Sequence, residues 1–538
     1  MTSRLEYRDG VLQAYPEVYT PVALEALEAL APLNHDRREL MAARIARRLE
    51  RASGRQRIAF LEPEALIPRT GIRVQDARHG KFEGSEIPAD LKRQWIQGTG
   101  PATRPLSVFA RGLHLDDRHV RERDGTGFSA SIVDLALYVV NNHQRLTATG
   151  ASIVLYLPKI QAAEEAALWN DLFAALEQHL GLPAGTIKAY VLVEQIEATF
   201  QLMEIRAALG RHFVGFNTGR WDYINSVADA MAWDPAFVNP NIDAIGMTYG
   251  YMRTYEDRVR RAVNTPDQSG RCALWQGGME ANIPVGSEAG VAAGMRRAKA
   301  GGEREQCAGA SGKWVSHWKM VHILRSVWEE LGKDNQLGRE FPPLTYTRED
   351  VDGLVLLEPA PRTVRGARDL LSVALQYGNA FGRGFQAVAL KPADFFGDAD
   401  VLYLMEDMAT GEIRLSILWE WLQKRAKFTA DDPATGVRAG DAFGAALFAR
   451  LLAEEYEKLL RAGDRDVHDD SKATTLPIAR EIVEAYVTHH VKPPWYIDLL
   501  NLNLDNHDLA TARARIGAYI EAFAVSYTHL TLPTNREV

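Results

Sequence analysis

The sequence is poor in cysteine, since only Cys272 and Cys307 occur among its 538 residues. Two cysteines cannot build a disulfide framework, and they form no paired-cysteine metal motif, so a reducing cytoplasm is the expected compartment. Uninterrupted apolar runs of about 20 residues are also missing, and the N-terminal MTSRLEYRDG lacks the apolar core of a signal peptide. These absences predict a soluble intracellular protein.

An excess of positive charge is missing as well. The chain has 62 Lys and Arg against 70 Asp and Glu, a formal net charge of −8. This balance argues against nucleic acid or an anionic membrane as the main partner. A chain of 538 residues exceeds the size of one hydrophobic core, so we expect two or more domains.

The hydrophobic patterning divides the chain. Residues 1–65 carry a helical pattern rich in strong helix formers, and residues 66–350 alternate short β-rich runs with amphipathic helical stretches. The runs are GIRVQDAR, LSVFARG, ASIVLYLPK, IKAYVLVE, FVGFNTG, DAIGMTYG, CALWQGG and GKWVSH. Eight apolar strands alternating with helices predict an α/β fold with a parallel sheet closed into a (β/α)₈ TIM barrel. An open doubly wound sheet is the alternative.

The remainder of the chain is mostly helical. Residues 351–525 predict a C-terminal helical domain, with stretches such as RLSILWEWLQKRAKF and GAALFARLLAEEYEKLL. Residues 526–538, within SYTHLTLPTNREV, abandon this pattern abruptly and are interpreted as a non-native tail.

Two acids follow neighbouring predicted strands. Glu194 ends IKAYVLVE, and Asp222 lies just beyond FVGFNTG. Adjacent strands are about 4.8 Å apart, and barrel chemistry lies at their C-terminal ends, so both carboxylates could reach one Mg²⁺. Alternatively, Glu194 stabilises the start of a helix and Asp222 is solvated.

Two further residues can each be interpreted in two ways. Arg111 ends LSVFARG and could bind a carboxylate or carbonyl oxygen with its guanidinium, or form a surface ion pair. Asp407, in VLYLMEDMATGEI, follows an apolar run and precedes a helical stretch. It could act as a general base, or it could cap that helix.

Longer motifs resemble those of the A-type malate synthases. LPAGTIKAYVLVEQIEATFQLMEI is followed by GFNTGRWDYI, and the similar segments include FARGLHLDDRHV, MTYGYMRTYEDRV, GGMEANIP and LMEDMATGEIRLSILWEWL. The resemblance keeps its order over residues 105–425. It implies an N-terminal helical clasp, a TIM barrel and a C-terminal helical plug over the barrel mouth.

The resemblance also implies an activity: condensation of glyoxylate with acetyl-CoA and water to give malate and CoA, in the glyoxylate cycle. It implies dependence on Mg²⁺, with Mn²⁺ as a substitute. Glu194 and Asp222 match the metal-binding acids, Arg111 matches the arginine that polarises the glyoxylate carbonyl, and Asp407 matches the base that deprotonates the acetyl group.

Two binding hypotheses accompany these roles. The backbone N–H groups from Gly219 through Arg220 and Trp221 to Asp222 are expected to hold the glyoxylate carboxylate. Lys159, in LPK, could attract the phosphates of CoA, although exposed lysines at strand ends are common.

The chain departs from the family pattern at an early strand ending ADFED. Its nearest counterpart is VQDARHG, where Asp76 remains and Arg78 stands near the position of the second acid. The family's WVAHP is WVSHW here. These changes leave open an enzyme for a related acyl-CoA and 2-oxo acid. An inactive relative that binds acyl-CoA is a separate alternative, which the retention of Arg111, Glu194, Asp222 and Asp407 disfavours.

Overall fold

The computed structural model describes most of the chain. The described residues are 3–93, 96–98, 108–283, 288–382, 387–390, 403–461 and 475–493. The interpretation of residues 526–538 as a tail falls outside them. None of the helices within these ranges is both long enough and apolar enough to span a membrane.

The strands form three sheets in the described part of the chain. Their bounds are β1 Leu5–Tyr7, β2 Ile96–Gly98, β3 Val108–Phe109, β4 Asp116–Glu122, β5 Gly127–Ser129, β6 Ile153–Leu157, β7 Ile187–Val193, β8 Phe213–Thr218, β9 Leu274–Glu280, β10 Asn282–Ile283, β11 Gly312–Val315, β12 Ala387–Leu390 and β13 Tyr403–Asp407. The main sheet has seven strands in the order β2-β11-β9-β8-β7-β6-β3. Every neighbouring pair in it is parallel.

Helices pack against this sheet and make up more than half of the other described residues. Their bounds are α1 Val11–Ala14, α2 Pro21–Leu30, α3 Leu33–Gly54, α4 Val74–Arg78, α5 Ala89–Lys92, α6 Ala130–Ala148, α7 Ala163–Leu180, α8 Ile196–Thr199, α9 Leu202–Leu209, α10 Trp221–Ala230, α11 Gly250–Asn264, α12 Glu288–Ala308, α13 Val321–Glu329, α14 Arg348–Gly353, α15 Val364–Gly382, α16 Met408–Gln423, α17 Ala445–Arg461 and α18 Thr475–Thr488.

Six of the eight predicted strands are confirmed as β3, β6, β7, β8, β9 and β11. The other two predictions are wrong. GIRVQDAR contains the short helix α4, and DAIGMTYG begins inside a 3₁₀ turn at Ile242–Ala244. The strand β2, which pairs with β11, was not predicted from the sequence. Val74 and Ala77 are buried three residues apart, a spacing that places them on one face of a helix.

The central strands are buried on both faces, as expected for a parallel sheet between helices and an interior. Along β7, Val191 and Val193 join the larger apolar core with the helices, whereas Tyr190 and Leu192 join a smaller core. Tyr190 stacks on Tyr156 of β6 with ring centroids 4.7 Å apart. The period of two residues thus gives each strand an inner and an outer face.

A small antiparallel sheet adjoins the end of β9. Its order is β10-β13-β12, and Asn282 of β10 pairs with Leu404 of β13. β10 begins two residues after β9 ends, at the C-terminal edge of the main sheet. The LMED segment is therefore hydrogen-bonded to the edge where barrel enzymes place their chemistry.

The N-terminal and C-terminal helices meet the barrel near α10. Arg48 of α3 donates to Asp229 of α10 through both Nε (2.7 Å) and Nη2 (2.6 Å), and Lys492 Nζ donates to the same carboxylate at 3.1 Å. These ion pairs lower the pKa of Asp229 against the opposing effect of burial. One carboxylate thereby links three regions of the chain.

Candidate active site

The candidate residues follow the C-terminal ends of four adjacent strands. Arg111 follows β3, Lys159 follows β6, Glu194 follows β7, and Asp222 lies in the first turn of α10 after β8. The order β8-β7-β6-β3 places these strands side by side. All four residues therefore lie at one edge of the sheet.

Lys159 joins the two predicted metal-binding acids. Its Nζ lies 3.0 Å from Glu194 Oε1 and 2.5 Å from Asp222 Oδ2, and its backbone N–H donates to Glu194 Oε1 at 2.8 Å. The side chains of Lys159, Glu194 and Asp222 are 12%, 5% and 7% exposed. Neither carboxylate is a solvated surface group, and both point at one cation.

The turn between β8 and α10 closely approaches Glu194. A Cβ on Gly219 would lie 2.8 Å from Glu194 Cβ, so a side chain there would displace the carboxylate. Tyr255 Oη donates to the carbonyl oxygens of Val193 and Gly219, at 2.5 and 3.3 Å. Glycine and this tyrosine together hold the two loops against each other.

The N-terminus of α10 faces the same corner. Its N-cap residue is Arg220, and no side chain caps the first turn. Backbone N–H groups at a helix N-terminus attract anions. The arrangement is compatible with the predicted carboxylate-binding role of Gly219, Arg220, Trp221 and Asp222, which stays a prediction.

Arg111 is held by two aspartates. Its Nε and Nη2 donate to Asp134 at 2.9 and 2.7 Å, its Nη2 also donates to Asp117 at 2.7 Å, and its backbone N–H donates to Asp134 at 2.7 Å. Burial opposes the charge, but the two carboxylates raise the guanidinium pKa. The side chain is 38% exposed, and Nη1 makes no hydrogen bond to a described residue.

Asp117 and Asp134 were missed by the sequence reasoning, which sought supporting acids in VQDARHG. Arg78 of that segment instead pairs with buried Glu204 of α9 at 2.8 Å, and Asp76 pairs with Lys81 at 3.1 Å. Asp117, in RGLHLDD, and Asp134, in SIVDL, lie close to Arg111 in the sequence, and this proximity could have identified them as its partners. The interpretation of VQDARHG as the early barrel strand is wrong because α4 packs outside the sheet against α9.

Asp407 is the last residue of β13, opposite Ala387 of β12. The structure describes its backbone but not its side chain. Asp407 lies three residues beyond Leu404, which pairs with Asn282, or roughly 10 Å along the strand. Its backbone therefore belongs to the strand attached at the barrel mouth, and its role as base stays a prediction.

The helix that follows Asp407 packs on α10. Arg414 of α16 has its guanidinium carbon 4.6 Å from the ring centroid of Trp221, and that of Arg220 lies 4.2 Å from it. Ser416 donates to Asn225 of α10. These contacts fix the LMED segment relative to the turn that contains Asp222.

The donor set suits a Mg²⁺ ion. Mg²⁺ takes oxygen ligands, often one or two carboxylates with water and substrate at the other positions. The ammonium of Lys159 shows that Glu194 and Asp222 can present oxygens to one cation. The described residues contain no cluster of three or more His, Cys, Asp and Glu side chains that could hold a metal.

Comparison with known families agrees with this architecture. The family model for the malate synthase TIM barrel domain matches residues 105–350, and the model for the malate synthase C-terminal domain matches residues 361–493. The chain therefore belongs to the malate synthase family, and its catalytic fold is a TIM barrel with helical segments.

Several relatives carry that name. Malate synthase A of Escherichia coli is 34% identical over 66% of this chain and 62% of its own length. Malate synthase of Myxococcus xanthus is 33% identical over 68% and 63%, and the bifunctional glyoxylate cycle protein of Caenorhabditis elegans is 34% identical over 76% and 40%. The chain thus spans between 40% and 63% of the length of these curated relatives.

Solved structures show weaker likeness. A Haloferax volcanii malate synthase described as a pyruvate/acetyl-CoA ternary complex matches with a TM-score of 0.34 and 14% identity, covering 53% of this chain and 66% of that one. A magnesium/glyoxylate complex of the same enzyme matches with a TM-score of 0.32 and 11% identity, covering 65% and 74%. At this level neither structure carries an argument about the site.

Proposed function

We propose that this protein is a malate synthase that condenses glyoxylate with acetyl-CoA and water to give malate and CoA. As an enzyme it would be an acyltransferase that converts the acyl group into an alkyl group on transfer. The observation that supports this most is the convergence of Glu194 and Asp222 on one cation, 3.0 and 2.5 Å away, at the C-terminal edge of the barrel. Family membership supplies the reaction class.

In this proposal, Asp407 takes a proton from the acetyl methyl group. The resulting enolate carbon attacks the aldehyde carbon of glyoxylate, forming the C–C bond as the C=O π bond breaks, and the aldehyde oxygen takes up a proton to become the hydroxyl of malate. Water then hydrolyses the thioester, so the C–S bond breaks and CoA leaves as the thiol. A thioester methyl group is a weak acid, and its deprotonation needs both a positioned carboxylate and a cation near the enolate oxygen.

Arg111 would supply that positive charge. Asp117 and Asp134 fix its guanidinium, so little reorganisation is needed when negative charge develops on the substrate. The Arg111 side chain is 38% exposed. We expect its Nη1, which the two aspartates do not bind, to face the substrate oxygen. Backbone N–H groups from Gly219 to Asp222 would hold the glyoxylate carboxylate.

Glu194 and Asp222 would hold Mg²⁺, with Mn²⁺ as a substitute, because both ions prefer carboxylate oxygens. When bound, the ion would polarise the glyoxylate aldehyde and fix its orientation. The prediction that Lys159 binds CoA phosphates is kept as a lesser proposal, since its ammonium is here paired with the two acids. Operation in the glyoxylate cycle and a cytoplasmic location are proposed on the same basis.

The test is a thiol-release assay with glyoxylate and acetyl-CoA, with and without EDTA. We expect thiol release that requires both substrates and is abolished by EDTA. Asp407→Asn should lower kcat by about 10³-fold, because the general base is removed. Unchanged thiol release in Asp407→Asn would reject the assigned base.

The rival substrate pair is tested in parallel. Pyruvate replaces glyoxylate in one arm, and propionyl-CoA replaces acetyl-CoA in another. Release only with one of these would favour an enzyme for a related acyl-CoA and 2-oxo acid. Binding of acetyl-CoA without any thiol release would favour an inactive relative.

A further inference from the structure

Lys159 has an unusual backbone conformation. Its φ is +59°, in the left-handed region that few residues other than glycine adopt. In this conformation its N–H and its Nζ both reach Glu194 Oε1, at 2.8 and 3.0 Å. A strained backbone that folds a side chain back onto one carboxylate is a feature that the surrounding structure must maintain.

The surrounding structure does maintain it. Arg44 of α3 donates from Nη1 to the carbonyl oxygen of Lys159 at 2.8 Å, and it also lies 3.8 Å from the buried carboxylate of Glu165. The N-terminal helix therefore fixes the strand end that carries Lys159. The ammonium is consequently directed at Glu194 and Asp222 by contacts on both sides of its backbone.

Two carboxylates that face each other away from water repel unless a cation lies between them. The ammonium of Lys159 fills this role, and it uses the oxygens Glu194 Oε1 and Asp222 Oδ2. A Mg²⁺ ion binds carboxylate oxygens at about 2.0–2.1 Å. An ion drawn to these oxygens would share them with a second positive charge about 3 Å away, so the ammonium and the ion compete for the two carboxylates.

We propose that Lys159 is an internal counter-ion that holds Glu194 and Asp222 together without metal and competes with Mg²⁺ for them. The inference rests on the proposed metal-binding role of these two acids. Its consequence is that Lys159 keeps the site assembled while weakening the apparent affinity for the ion. In this respect it is a positioning residue.

The test measures Mg²⁺ binding by calorimetry and thermal unfolding in EDTA for the wild type and Lys159→Met. We expect Lys159→Met to bind Mg²⁺ at least ten-fold more tightly, because its competitor is gone. In EDTA its melting temperature should fall, because the two carboxylates then repel, and Mg²⁺ should raise that temperature more than in the wild type. Lys159→Gln, which is neutral but can still donate, provides a second variant if Lys159→Met does not fold.

Lys188→Met is the matched control. Lys188 lies buried on β7, but it contacts no carboxylate in the described structure; its Nζ donates to Ser85 Oγ and to the carbonyl oxygen of Arg211. Its removal should leave Mg²⁺ affinity unchanged. A folded Lys159→Met or Lys159→Gln with wild-type or weaker affinity would overturn the counter-ion role, as would an unchanged melting temperature in EDTA.

A further variant separates this inference from the proposed function. If the wild type binds Mg²⁺ and Asp222→Asn does not, the metal site is supported whatever Lys159→Met does. If neither the wild type nor Lys159→Met binds Mg²⁺, the metal assignment fails, and the counter-ion inference fails with it.

Discussion

Two lysines at opposite ends of the barrel have different surroundings. Lys159, beyond the C-terminal end of β6, contacts two carboxylates at 3.0 and 2.5 Å. Lys188, at the N-terminal end of β7, donates to a hydroxyl and a carbonyl oxygen at 2.8 and 2.9 Å. Burial lowers the pKa of Lys188 to about 8, more than the charges of Glu177 and Glu86 raise it.

The difference between the two lysines reflects a difference in charged groups between the two edges of the barrel. At the C-terminal edge, acids and a cation are concentrated, as in other barrels of this type. At the other edge, a cation is satisfied by neutral partners, so its charge destabilises the fold at neutral pH. The first lysine contacts the acids of the proposed metal site, whereas the second contacts only neutral groups.

The largest effect is expected from a substitution that breaks the ion pairs at the C-terminal edge. Asp222→Asn should lower kcat/KM about 10³-fold, because the proposed ion loses one of its two protein ligands and Lys159 loses one of its carboxylates. Steady-state kinetics at saturating Mg²⁺ measures this. Asp76→Asn is the control and should retain activity, since the structure places Asp76 outside this site. Equal losses in the two variants would contradict the assignment.

Arg111 extends the comparison to a cation held by acids but partly open to solvent. Arg111→Lys should lower kcat about 10²-fold, because a lysine keeps the charge but loses the planar set of donors. Asp134→Asn, which removes the bidentate partner, should cause a smaller loss. These values come from the same thiol-release assay. Wild-type kcat in Arg111→Lys would mean that the guanidinium does not act on the substrate.

The smallest effect is expected from the titration of Lys188, which changes the free energy of unfolding rather than kcat. Its folded-state pKa of about 8 lies below its usual value of 10.5, so the unfolded chain binds more protons between these values. Stability should therefore rise with pH across this window, by about 2–3 kcal/mol. Urea unfolding from pH 7 to pH 10.5 measures it, with Lys188→Met as reference. A constant stability difference between the two proteins would refute the lowered pKa.

The sequence predicted the strands where apolar runs were long and ended in polar turns. β6, β7 and β8 are of this kind, and Glu194 and Asp222 were located because they follow two of them. The strand predictions for GIRVQDAR and DAIGMTYG were wrong because short apolar runs fit a strand or a helical turn equally well. β2 was missed because three residues carry too little pattern.

The sequence alone determined the alternation of strands and helices, because burial on both faces demands continuous apolar runs. It also determined which acids end those strands. Only the tertiary structure decided that Lys159 lies between Glu194 and Asp222, and that Asp117 and Asp134 hold Arg111. Ion pairs depend on distances of a few ångströms between residues far apart in the chain, and these distances are set by strand order and backbone conformation.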